Sequence, residues 1–242
     1  MTIQFENQHL LFGLDCDGVC RSFVDRGAGE NYASGAPLAW VKQHDRLCQV
    51  SKVERAGERL RLEFGDPGIA ATLKIAVRDC YLVVEVLSVE GEGVDEFVFV
   101  DIPLSLQGEP GEPFAACALA LDLQTRVVEL PGPSHRLRAA CYARFGLAGA
   151  RTALIGCPAD GLRGVLQQVV SAELRLPYSS IGGPWAMDQE INNCMGITIV
   201  RDTGSINRRT KRIPVDACAR RTFCPTRIVP YARAWRIAAL SS

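Results

Sequence analysis

A chain of 242 residues, 48% hydrophobic and 22% charged, is long enough to bury a substantial core and has the balance of an ordinary globular protein. No apolar run approaches the ~20 residues of a membrane-spanning helix, and the opening Met1-Thr2-Ile3-Gln4-Phe5-Glu6 lacks the basic-then-apolar order of a secretory signal, so the chain as written reads as cytoplasmic. The zero net charge is divided: residues 201–242 hold ten Lys and Arg against Asp202 and Asp216, which puts that tail at +8 and residues 1–200 at −8.

The first 156 residues read as strand after strand. Leu60, Leu62 and Phe64 alternate with Arg59, Arg61 and Glu63, a period of two that gathers the apolar set on one face. Leu73, Ile75 and Val77 alternate with Thr72, Lys74 and Ala76 in the same way. Between Val94 and Leu106 the run is apolar on both faces, which predicts a strand covered on each side. Leu137, Ala139, Cys141, Ala143 and Phe145 form another alternating set, opposite Arg136, Arg138, Tyr142 and Arg144.

Turn chemistry separates these runs: Asp17-Gly18, Gly27-Ala28-Gly29, Asp66-Pro67-Gly68, Gly91-Glu92-Gly93 and Pro131-Gly132-Pro133, with a longer loop at Gly108–Pro113. About a dozen short strands and no helix before residue 158 predict an all-β fold, a large antiparallel sandwich over residues 1–156. There is no internal repeat of fixed period.

The pattern changes after Cys157-Pro158. Asp160 is placed to cap a helix whose Leu162, Val165, Leu166, Val169, Val170 and Leu174 form one apolar stripe, and Leu176-Pro177 should end it. A loop follows, Tyr178 to Asp188, with Trp185 beside Gly183-Pro184, and Gly196–Val200 has the look of an opening strand. From Arg201 no apolar period is sustained, and Pro214, Pro225 and Pro230 interrupt any regular element.

Two stretches bring a family into view. The opening Leu14-Asp15-Cys16-Asp17-Gly18-Val19-Cys20-Arg21-Ser22-Phe23-Val24-Asp25-Arg26-Gly27-Ala28-Gly29-Glu30-Asn31-Tyr32 resembles the start of N-terminal sandwich domains in bacterial polysaccharide-degrading enzymes. Those domains are supersandwiches related to the galactose-mutarotase fold. The segment Leu176-Pro177-Tyr178 through Gly182-Gly183-Pro184-Trp185-Ala186 is similar to the entry into the catalytic (β/α)8 barrel that follows in the glycoside hydrolases among them.

The resemblance implies residues 157–200 as helix and linker towards such a barrel. A barrel takes about 250 residues, and 42 follow Val200, so the catalytic carboxylates have no positions here. What it implies is a non-catalytic module of a carbohydrate-active protein, with a saccharide as partner. A self-sufficient sandwich that binds glycans or a protein stands beside it, as does a small enzyme with its site inside the sandwich. For the tail 201–242 three readings stay open: an out-of-frame product, a functional arm, or an ordinary ending. Its Arg208-Arg209-Thr210-Lys211-Arg212 cluster suits phosphate, but no helix face or aromatic platform organises it, so nucleic acid is not the expected partner.

Sugars lay their apolar faces on aromatic rings, which makes Tyr32, Trp40, Tyr178 and Trp185 the candidate ligand-binding residues. Each has a packing role as its competing explanation. Asp15, Asp17 and Asp25 are close enough in sequence to suggest paired carboxylates, but Asp17-Gly18 reads as a turn and Asp25 as the cap of another. The ten cysteines lack the paired spacing of zinc ligands, and a chain of this length needs no disulfide staples, so they are expected to be free thiols, with no metal and no cofactor.

Overall fold

The computed structural model describes residues 2–65, 68–109, 111–127 and 133–174. Tyr178 and Trp185, the barrel-like entry segment, the strand expected at Gly196–Val200 and the basic tail lie outside the described residues.

Period-two alternation governs the fold. β1 (Ile3–Glu6), β2 (Leu10–Leu14) and β3 (Cys20–Asp25) form a three-stranded sheet in that order. A ten-stranded sheet is made of β4 (Trp40–Gln43), β5 (Arg46–Ala56), β6 (Arg59–Phe64), β7 (Ala70–Val77), β8 (Tyr81–Glu90), β9 (Val94–Pro103), β10 (Phe114–Ala120), β11 (Arg126–Val127), β12 (Arg136–Tyr142) and β13 (Arg151–Pro158). Its order is β10-β13-β8-β7-β6-β5-β4-β9-β12-β11, and every pairing is antiparallel. The large sheet curls until its ends approach: the Ser134 N–H, just before β12, donates to the Ala116 carbonyl of β10 at 2.9 Å. The result is an all-β antiparallel sandwich.

The inner face of the large sheet and the small sheet share one core. Leu60, Leu62, Leu73, Leu82, Val86, Leu137 and Leu154 from the first meet Leu10, Phe12, Leu14 and Phe23 from the second. Gly156 on β13 marks how closely the sheets approach, since a Cβ there would meet Leu10, Phe23 and Phe114 carbons at 3.1 Å.

One expectation, the strand covered on both faces at β9, holds with an added detail, and two are corrected. The apolar run of β9 owes part of its pattern to a bulge: Ala139 pairs with Val100 and Ala140 with Val98, so Phe99 is the extra residue. The bulge lets Phe97, Phe99, Val100 and Ile102 all join the interior core. The set from Leu137 to Phe145 stops at Tyr142, because Ala143–Phe145 fold into a 3-10 turn that leaves Phe145 55% exposed. Val77 ends β7 and is exposed, whereas Leu73 and Ile75 are buried.

The apolar stripe after residue 158 is a helix, α1 (Leu162–Glu173). Asp160 does not cap it: it lies in a 3-10 turn, Ala159–Gly161, and Gly161 occupies the cap position with no side-chain hydrogen bond. Leu162, Val165 and Val169 are buried against the outer face of β7, β8, β10 and β13, where Ala76, Tyr81, Val83, Ala115, Cys117, Ala153, Ile155 and Cys157 form a second core. Burying each such side chain stabilises by about 1.5–3 kcal/mol. The sandwich's own sheet covers this stripe, and the compact unit runs Met1–Leu174. Among the described residues no helix is long and apolar enough to cross a membrane.

Candidate functional site

The alternation that turns Val41, Cys48, Val50, Leu137 and Ala139 inward turns their neighbours outward. On the outer face of adjacent strands this brings together Leu47 and Gln49 from β5, Trp40 from β4, Asp101 from β9, and Arg136 and Arg138 from β12. With Ala36, Pro37 and Pro103 they line an open pocket of about 280 Å³. Pairing fixes the array, because Trp40 stands opposite Gln49 and Val98 while Arg138 stands opposite Asp101.

Asp101 organises the pocket. It is buried, and its Oδ1 and Oδ2 accept from Arg136 Nε at 2.6 Å and Nη2 at 2.8 Å, a two-point fork that is the strongest common geometry for this pair. Its Oδ2 also accepts the Trp40 indole N–H at 2.9 Å. The indole is thus pinned at its edge. The Arg138 guanidinium carbon lies 5.1 Å from the centre of the Trp40 ring, within cation–π range. Arg138 Nη2 is 3.9 Å from the Glu96 carboxylate, and Arg138 Nε is buried with no hydrogen-bond partner among the described residues.

Glycoside hydrolysis calls for two carboxylates facing a bond, and the one carboxylate lining this pocket, Asp101, is committed to Arg136 and Trp40. The carboxylates near the start are turn residues. Asp15 Oδ1 accepts the Asp17 and Val19 N–H groups at 3.0 and 2.9 Å, and Arg21 Nε binds its Oδ2 at 2.7 Å. Burial pushes the Asp15 carboxyl up, but the Val19 N–H, the Arg21 hydrogen bond and charge, and the Asp17 N–H together hold it below its ordinary value. Asp25 Oδ1 accepts the Gly27 N–H at 2.8 Å.

Of the sequence candidates, Trp40 lines the pocket and Tyr32 belongs to the core. The Tyr32 ring stacks on Phe114 with centroids 5.4 Å apart, and its hydroxyl donates to Glu30 at 3.0 Å. Burial and the Glu30 carboxylate push its phenol up to about 12. Its ring packs against protein, so the sugar-stacking expectation for Tyr32 is withdrawn.

Asp101, Arg136 and Arg138 were missed by sequence reasoning as site residues. The signal existed in part, since Arg136 and Arg138 alternate with buried Leu137 and Ala139; what placed them beside Trp40 was long-range strand order.

Cys20, Cys48, Cys117, Cys141 and Cys157 are buried and form no disulfide, and burial pushes the Cys20, Cys141 and Cys157 thiols up to about 12. No group of three or more His, Cys, Asp or Glu suited to a metal stands together among the described residues.

Fold and pocket together define a class: an antiparallel β-sandwich with an aromatic, two-arginine pocket on the outer face of its large sheet. No family model matches the chain, and no curated protein matches it.

Proposed function

We propose that residues 1–174 are a non-catalytic saccharide-binding sandwich module of the accessory kind found in carbohydrate-active proteins. The observation that carries this reading is the Trp40 indole, fixed by Asp101 at its N–H and standing in the wall of an open pocket. A ring whose orientation is set in advance loses little freedom on stacking against a sugar, and the polar groups around it, Gln49, Arg136 and Arg138, suit hydroxyl recognition. The resemblance at Leu14–Tyr32 supports the same class.

Titration calorimetry of the 242-residue chain against a panel of neutral and acidic oligosaccharides tests the reading, with W40A as the control. Binding by the wild type and its loss in a folded W40A are expected. Absence of binding across the panel, or binding that ignores W40A, would overturn it.

The coverage of α1 by the sandwich favours a second reading, a module that is self-sufficient in folding. Residues 1–174 expressed alone should then be monodisperse and unfold in one cooperative transition. An aggregating fragment would count against self-sufficiency and leave saccharide binding by the full chain standing.

A further inference from the structure

We propose that the Trp40 pocket selects an anionic saccharide, one carrying hexuronic acid units, with Arg138 as the group that meets the carboxylate. This rests on the saccharide-binding reading above and adds the charge of the ligand to it.

The lining holds two guanidinium groups and one carboxylate. Asp101 spends its charge on Arg136 through the two-point fork. Arg138 has no such partner: its nearest carboxylate, Glu96, is 3.9 Å away, and the Arg138 side chain is 30% exposed. The pocket is thereby left with one guanidinium whose charge is weakly answered. A guanidinium presents a planar fork that matches the two oxygens of a carboxylate, and desolvating it without such a partner is costly.

Position supports the assignment. A hexuronic acid carries its apolar ring face and its carboxylate on one unit. The Arg138 guanidinium lies over the Trp40 ring, its carbon 5.1 Å from the ring centre. Cation and indole thus sit within the reach of one sugar unit, which meets the exposed part of the ring beside the guanidinium. A pocket of about 280 Å³ suits one sugar unit, with the rest of the chain passing outside. Ordinary ligand pockets begin at roughly 300 Å³. Sulfated sugars share the negative charge and can also engage a guanidinium fork, so they form a separate arm of the test.

The test compares oligouronates with their carboxyl-reduced, neutral counterparts of equal length, and with sulfated oligosaccharides, by titration calorimetry on the full chain. The oligouronate should bind about tenfold tighter than its reduced form, the worth of one charge-assisted hydrogen bond. R138Q should abolish the difference and R138K should keep part of it, with circular dichroism checking that both fold. Raising the salt concentration should shrink the preference in the wild type, a readout that needs no variant. Equal binding of acidic and reduced forms would overturn the inference and leave saccharide binding intact. Preference for the sulfated ligand, or an acidic preference that survives R138Q, would also overturn it. Binding of none of these would sink both readings.

Discussion

The Trp40 indole N–H donates to Asp101 at 2.9 Å across 61 residues of sequence, joining β4 to β9 on the outer face of the large sheet. The same carboxylate holds Arg136 of β12, so one buried acid ties three strands together. Asp101→Asn would keep the shape but lose the charge and set an amide N–H against donors. We expect a loss of about 2 kcal/mol, since breaking one side of a buried ion pair leaves the other uncompensated. Urea denaturation measures it, and a change below a few tenths of a kcal/mol would contradict the assigned role.

Gly18 adopts φ +78°, and a Cβ there would stand 2.7 and 2.8 Å from the two methyls of Val50. Left-handed strain and a core clash therefore coincide. Gly18→Ala should destabilise by about 2–3 kcal/mol. Gly57 provides the control: it also has positive φ, but nothing lies within 4 Å of its Cβ position, so Gly57→Ala should cost only about 1 kcal/mol.

These two glycines show how far the sequence could be read. Asp17-Gly18 is a turn from composition alone, and the alternation at Leu60–Phe64 gives the correct buried face. The contact of Gly18 with Val50, the bulge at Phe99 and the order of strands β5-β4-β9-β12 depend on pairings between distant segments, which local pattern does not encode. Trp40 could be nominated from residue type; Asp101 and Arg138 could not, since their role depends on which strands lie beside β4. Asp160 failed as a cap because the chain makes a 3-10 turn through it first, and Tyr32 failed as a ligand residue because Phe114 claims its ring.

Glu173, in the last turn of α1, is buried and held by Arg78 Nε at 2.8 Å and Arg151 Nη2 at 2.6 Å. Burial pushes its carboxyl up, yet hydrogen bonds and charge from both arginines outweigh that and hold it below the ordinary 4.5. A depressed folded-state value means the ionised form stabilises the fold. That contribution is complete above the unfolded value and is lost as pH falls through the lower folded one. Thermal stability should therefore fall on acidification below about pH 4.5, and more shallowly in Glu173→Gln. At neutral pH the substitution should cost about 3 kcal/mol. Parallel acid profiles for wild type and variant would contradict the clamp.

Val169 is fully buried where α1 meets the second core. Val169→Ala should cost about 2 kcal/mol by lost burial and the cavity left behind. Hydrogen exchange should show faster amide exchange in α1 than in β4–β6 of the same variant. Uniform acceleration would mean that helix and sandwich unfold as one, with no local opening at the helix.

The most direct test of saccharide binding is the 15N–1H spectrum of the tryptophan indoles during titration with an oligouronate. The chain has three tryptophans, Trp40, Trp185 and Trp235, and W40F assigns the relevant signal. The account predicts a saturable shift of the Trp40 indole N–H, the proton that Asp101 accepts, with the affinity measured by calorimetry. A ligand that shifts Trp185 or Trp235 and leaves Trp40 unmoved would contradict it.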